Sequence, residues 1–151
     1  MIAVVTGSNG LLGQKIVQQL YNKGYKIIAT SKGPNRNSNN NFFIYEDLDI
    51  TNKEKLSSVL NKYNPDVVFN TAAITNVDLC EKEKDLCEKV NVQAVEFLAD
   101  ICLDIDSHLI HISTDFIFDG NDGPYKEDDI PSPLSYYGKS KLDSENILKS
   151  H

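Results

Sequence analysis

Short runs rich in Val, Ile and Phe alternate along the chain with segments of helical period, the pattern of a parallel sheet whose strands are covered on both faces. The runs predict five strands: Ile2 to Thr6, Tyr25 to Thr30, Asn41 to Tyr45, Asp66 to Thr71 and His108 to Ser113. Leu12, Ile16 and Leu20 form one stripe of a helix from Gly10 to about Tyr21, and Gly24 follows as a stop signal. Leu56, Val59, Leu60 and Tyr63 repeat with helical spacing before Pro65, and Thr51 with Glu54 has the spacing of a capping box for that helix. A longer helical stretch is predicted from about Leu79 to Leu103, and a last one from about Tyr136 to Lys149. The expected fold class is α/β, a parallel sheet of five strands covered by helices.

Two segments break this rhythm. Gly33 to Asn41 is rich in asparagine (Asn35, Asn37, Asn39, Asn40, Asn41) and reads as a surface connection, because short polar side chains tolerate turns. Asp119 to Ser135 spans 17 residues with two glycines, three prolines and a run of acids, and irregular connections of that length often border functional sites. There is no internal repeat.

The length of 151 residues supports one domain, 1–151, with one real core. Lys and Arg number 15 against 22 Asp and Glu, for a net charge of −7. That balance argues against nucleic acid and against anionic membrane surfaces, both of which need a basic face. No apolar run approaches the roughly 20 residues of a membrane span, and Met1 to Val5 lacks the length and basic flank of a signal peptide, so a cytoplasmic protein is expected. Cys80, Cys87 and Cys102 show no C-x-x-C spacing and read as reduced thiols, not as a zinc or disulfide framework. His108 and His111 alternate along a strand with only His151 elsewhere, so no metal site is expected.

The first chemistry-bearing motif is Thr6-Gly7-Ser8-Asn9-Gly10-Leu11-Leu12-Gly13, between the first strand and first helix. Gly7 and Gly10 permit a tight turn and close approach to a pyrophosphate, Gly13 permits close helix-strand contact, and the helix start supplies N–H donors. Its G-x-x-G-x-x-G spacing is one residue longer than the usual dinucleotide fingerprint, and a Gly-rich turn without ligand is the bland alternative. At the end of the second strand, where an acid would select NAD, the chain reads Ala29-Thr30-Ser31-Lys32. Ser31, Lys32 and Arg36 suit a 2′-phosphate, which favours NADP(H) over NAD(H); the alternative for Lys32 and Arg36 is solvated loop charge.

The second motif is Tyr137-Gly138-Lys139-Ser140-Lys141, with a phenol and an ammonium one helical turn apart. A positive charge beside a phenol favours phenolate and makes the group a better proton donor and acceptor near neutral pH. Tyr136 lacks this arrangement, since Ser140 stands four residues on. His111-Ile112-Ser113-Thr114-Asp115 ends the fifth strand, at the carboxyl edge where open α/β sheets bind ligands; a hydroxyl there either meets a substrate carbonyl or caps a turn. No G-x-S-x-G elbow supports a serine hydrolase.

These motifs, with Asp49-Ile50-Thr51, Pro65 to Ala73, Val77-Asp78, Phe118-Asp119-Gly120 and Pro133-Leu134, resemble the extended short-chain dehydrogenases/reductases, and among them the dTDP-4-dehydrorhamnose reductases, over essentially the whole chain. The resemblance implies a Rossmann-type domain, a doubly wound parallel sheet of five strands in the order 3-2-1-4-5, in three αβα layers. It places Gly10, Leu11 and Leu12 at the pyrophosphate, Ser31 on the adenosine ribose side, Asp49 and Ile50 at the adenine, and Ala73, Ile74 and Thr75 along the inner cofactor. Tyr137 is the implied proton donor to the C4 carbonyl oxygen, Lys141 the group that binds the nicotinamide ribose, Thr114 the partner of the reacting oxygen, with Asp115 near the sugar. The implied reaction reduces dTDP-4-dehydro-6-deoxy-L-mannose to dTDP-L-rhamnose. Phe116 departs from the tyrosine common in the family after Ser-Thr-Asp, which removes a hydroxyl near the substrate. By the same resemblance a C-terminal substrate domain is absent from this chain; a homodimer or a complementary chain is left open as partner. Two alternatives stand beside the reductase: a non-catalytic NAD(P)-binding regulatory subunit like that of methionine adenosyltransferase, and a sugar-nucleotide epimerase or dehydratase.

Overall fold

A computed structural model describes residues 1–37 and 41–151, so Asn39 and Asn40 of the Asn-rich loop lie outside the described residues. The chain divides into two compact units, Met1–Ala73 with Phe97–Ile112, and Ile74–Glu96 with Ser113–His151.

The first unit is the sheet. β1 (Ile2–Thr6), β2 (Lys26–Ser31), β3 (Phe43–Asp47), β4 (Val67–Asn70) and β5 (His108–His111) pair in parallel, as the alternating pattern predicts, and in the order β3-β2-β1-β4-β5 that the family resemblance implies. Alternate residues feed two cores. Val4, Ile28 and Val68 pack with Leu56, Val59 and Leu60 of α2 (Lys53–Tyr63) and with Leu98, Ile101 and Cys102 of α5 (Ala94–Asp104). Ala3, Val5, Ile27, Ala29 and Val67 pack with Val17 and Leu20 of α1 (Leu11–Asn22). Both sheet faces therefore carry helices, and burying each such aliphatic side chain is worth roughly 1.5–3 kcal/mol. The order reverses between β1 and β4, which opens a crevice at their carboxyl ends.

Local chemistry corrects two helix expectations. The cap of α2 is Asn52, whose side chain accepts from the Lys55 N–H; Thr51 instead donates through both its N–H and hydroxyl to Asp49 Oδ1, so no Thr51–Glu54 capping box forms. The single stretch predicted from Leu79 to Leu103 is four pieces: α3 (Val77–Lys82), α4 (Lys84–Glu88), a π-helical turn (Lys89–Gln93) and α5. The first strand keeps its predicted ends and the others shift by one or two residues at one end or both, the fifth stopping at His111.

The second unit holds α3, α4, the π-turn, a 3₁₀ turn (Asp115–Ile117) and α6 (Tyr136–Ser150), with a small core of Cys80, Cys87 and Tyr137. The cysteines are free. Among the described residues no helix is long and apolar enough to cross a membrane, and no group of three His, Cys, Asp or Glu could hold a metal ion.

Candidate functional site

In the sheet unit the glycine loop leaves β1 beside the crevice. Gly7 sits at φ +66°, and a Cβ there would lie 2.7 Å from the Ala72 amide nitrogen. The Gly10 N–H closes the turn on the Gly7 carbonyl at 2.9 Å. A Cβ on Gly13 would collide with that same carbonyl oxygen, so Gly13 makes room for the loop itself, not for a strand. Gly10 starts α1 without a side-chain cap, and the first turn, which begins with Leu11 and Leu12, holds no acid. Uncapped N–H groups at the positive end of a helix dipole fit an anion.

Asn9, inside this loop, was not expected to be structural. Its N–H donates to Ser31 Oγ (3.0 Å), its amide nitrogen to the Pro34 carbonyl (2.9 Å) and the Tyr45 hydroxyl (3.3 Å), and its Oδ1 accepts from the Arg36 N–H (2.8 Å). One side chain thus holds the segment carrying Ser31, Lys32 and Arg36 against the phosphate loop. Ser31 is buried, whereas Lys32 and Arg36 are exposed. The Lys32 ammonium lies 2.7 Å from Asp49 Oδ2. Burial pushes the Asp49 carboxyl up, but hydrogen bonds from Lys32 and Thr51 outweigh it and leave the group below its ordinary value. Ile50 beside it is buried.

At the end of β4, Asn70 is the second unexpected residue. Its Oδ1 accepts from the Thr6 hydroxyl (2.5 Å) and the Ala72 N–H (3.3 Å), and its amide nitrogen faces His111 Nδ1 at 3.0 Å. Because the Ala72 N–H can only donate, the amide orientation is fixed and His111 Nδ1 is the acceptor. The ladder holds the Thr71–Ala73 backbone where it meets Gly7.

In the second unit, Ile74 is clamped through both backbone groups by buried Asn91: Oδ1 accepts from the Ile74 N–H (2.8 Å) and the amide nitrogen donates to the Ile74 carbonyl (2.9 Å). The same amide reaches Ser140 Oγ at 3.0 Å, and Ser140 donates to the Tyr137 carbonyl at 2.7 Å. Asn91 stands in the π-turn and so joins the Ile74 segment to the start of α6. Thr75 is exposed.

α6 is capped by Ser135, which accepts from the Gly138 N–H. A side chain at Gly138 would collide with the Phe116 carbonyl oxygen, so this glycine seats the helix on the 3₁₀ turn. The two adjacent tyrosines differ. Tyr136 donates toward Glu88 at 3.4 Å, and burial followed by the Glu88 charge raises its pKa, which suits it poorly to proton transfer. Tyr137 is largely buried against Cys80 and Cys87, and its ring meets Phe116 edge-on at 5.8 Å. Lys141, one turn on, is 2% exposed, and burial lowers its pKa to about 8 against the opposing charge of Glu145. Thr114 caps the 3₁₀ turn by accepting from the Phe116 N–H at 3.3 Å, and its hydroxyl reaches Asp115. Asp115, Phe116, Phe118, Tyr125, Leu134 and Ser135 line a cavity of about 380 Å³.

A doubly wound sheet with a glycine cradle at the carboxyl end of β1 and, in the second unit, a helix that carries Tyr-x-x-x-Lys are features of the class of short-chain dehydrogenases/reductases. The family model described as the RmlD substrate binding domain matches residues 1–151, and the chain belongs to that family. It is 37% identical over 147 residues to a dTDP-4-dehydrorhamnose reductase of Aggregatibacter actinomycetemcomitans, covering 96% of this chain and 46% of that protein. It is 32% identical over 146 residues to methionine adenosyltransferase 2 subunit beta of Xenopus laevis, covering 97% and 42%. Among solved structures it resembles the dTDP-4-dehydrorhamnose reductase of Bacillus anthracis in complex with NADP, with a TM-score of 0.83, 30% identity, and coverage of 99% of this chain and 49% of that one. The chain spans about half the length of these relatives.

Proposed function

We infer that residues 1–151 form the NAD(P)-binding part of a sugar-nucleotide reductase that converts dTDP-4-dehydro-6-deoxy-L-mannose to dTDP-L-rhamnose. The observation that carries this reading is the pair on α6: Tyr137 packed against Phe116, with a buried Lys141 one turn away whose pKa is lowered to about 8. The similarity to dTDP-4-dehydrorhamnose reductases supports the substrate.

The residues of the sheet unit fit a dinucleotide. The uncapped start of α1 offers N–H groups to a pyrophosphate, and Gly7 and Gly13 let the loop close on Ala72 and on itself where side chains would collide. Gly10, Leu11 and Leu12 hold the pyrophosphate, Asp49 and Ile50 border the adenine, and Ala73, Ile74 and Thr75 lie along the inner cofactor. When bound, the nicotinamide supplies a hydride for C4. Tyr137 donates a proton to the C4 oxygen, Lys141 binds the ribose hydroxyls and keeps a positive charge beside the phenol, and Thr114 hydrogen-bonds the reacting oxygen. Asp115 borders the sugar from the rim of the 380 Å³ cavity.

Ser31, Lys32 and Arg36 take the 2′-phosphate of NADP(H). The Lys32–Asp49 ion pair is exposed at the lysine end (81%) and therefore weak, so a phosphate displaces it readily. Calorimetry is expected to show NADPH binding about tenfold more tightly than NADH, the worth of one charge-assisted contact. Equal or tighter NADH binding would remove the 2′-phosphate role from these three residues.

Methionine adenosyltransferase 2 subunit beta, at 32% identity, favours a second reading in which the chain binds nucleotide and serves a partner protein. Absorbance at the NADPH band, followed with the dTDP-keto sugar present, separates the readings. Net loss of NADPH supports reduction, product without net loss supports an epimerase or dehydratase, and cofactor binding without turnover supports the regulatory reading.

A further inference from the structure

Glu145 stands one helical turn beyond Lys141 and makes a contact that the proposed chemistry leaves unused: its Oε1 accepts a hydrogen bond from Ser113 Oγ. Ser113 precedes Thr114 directly, so a single carboxylate joins the segment that carries the proposed partner of the reacting oxygen to the helix that carries the proposed acid. Its other oxygen is 3.5 Å from the Lys149 ammonium, and its side chain is only 21% exposed. We propose that Glu145 is a positioning residue for the Tyr137–Lys141 pair: it ties the Ser113–Thr114 segment to α6 and sets a fixed negative charge one turn from the lysine.

The electrostatics agree with that geometry. Burial alone drives Lys141 toward its neutral form, and the Glu145 charge, followed by the Cys87 thiol of α4, acts in the opposite direction. The groups around Glu145 itself are Ser113, Lys149 and, lining the same small cavity of about 230 Å³, Lys126 and Glu127. Lys126 and Lys149 lie in solvent-exposed positions or are largely exposed, so they are screened and neutralise Glu145 little. A carboxylate at this spacing keeps the ammonium charged through neutral pH, which the proposed role of Lys141 needs. The inference rests on the reading of Tyr137 and Lys141 as the reactive pair, and its test is independent of turnover.

The test is an NMR titration of the full chain with labelled lysine and glutamate. In the wild type Lys141 is expected to titrate near pH 8, and the Glu145 carboxyl carbon to sense that step as an inflection at the same pH. Glu145→Gln keeps an oxygen to accept from Ser113 but loses the charge, and lowers the Lys141 midpoint by about one pH unit. Ser113→Ala keeps the charge, breaks the tether and leaves the midpoint in place. An unmoved midpoint in Glu145→Gln, an equal shift in Ser113→Ala, or a wild-type Glu145 carbon without the inflection near pH 8 each overturns the proposal; the last needs no variant to fold. Full turnover by Tyr137→Phe would instead overturn the functional reading and leave the titration result standing.

Discussion

Tyr137→Phe is expected to lower kcat by roughly 10²–10⁴-fold, the usual worth of one positioned general acid, with little change in NADPH affinity. The substitution removes only the hydroxyl. The ring keeps its edge contact with Phe116 and its packing against Cys80 and Cys87, so the thermal midpoint moves little. Tyr136→Phe is the control. Tyr136 turns to Glu88 and has its pKa raised by burial, so its removal leaves kcat near the wild-type value. Steady-state kinetics on the two variants, with melting curves for both, decide the point; equal losses in both would show that the helix start matters and the Tyr137 hydroxyl does not.

The second large effect is expected at Gly7. An alanine there has to hold φ near +66°, which costs roughly 1–2 kcal/mol, and has to place its Cβ 2.7 Å from the backbone of Ala72, which adds roughly 1–3 kcal/mol of overpacking. The crevice then widens or the loop shifts, and NADPH affinity falls at least about tenfold. Gly24→Ala isolates the conformational part, because Gly24 sits at φ +77° with nothing within 4 Å of the added Cβ. It loses only the first cost and binds cofactor as the wild type does. Chemical denaturation and calorimetry on both variants check this, and equal behaviour of the two would mean that the Ala72 contact is slack.

What could be read from the residues follows from how strongly each signal stands out. The five strands are legible because Val4, Ile28 and Val68 face one core while their neighbours face the other, so the runs are apolar throughout. The glycine loop is legible because Gly7 and Gly13 have no substitute at their contacts. The Leu79–Leu103 stretch reads as one helix because no glycine or proline interrupts it; the break at Glu83 and the π-turn at Lys89–Gln93 fall on residues that any helix accepts. Thr51 and Glu54 have the spacing of a capping box, but Asp49 two residues back competes for the threonine and Asn52 takes the cap. Asn9, Asn70, Asn91 and Glu145 carry long-range bonds, and an isolated polar residue in a sequence does not announce a partner 22, 41, 17 or 32 positions away.

The central claim is that this chain's residues support hydride transfer to C4 with a proton from Tyr137. The most direct measurement supplies stereospecifically deuterated NADPH with the dTDP-4-keto sugar and examines the product by mass spectrometry and proton NMR. The predicted result is one deuterium at C4 of a dTDP-6-deoxyhexose, formed in step with NADPH loss and suppressed in Tyr137→Phe. Product lacking deuterium at C4, or cofactor bound and never consumed, would contradict it.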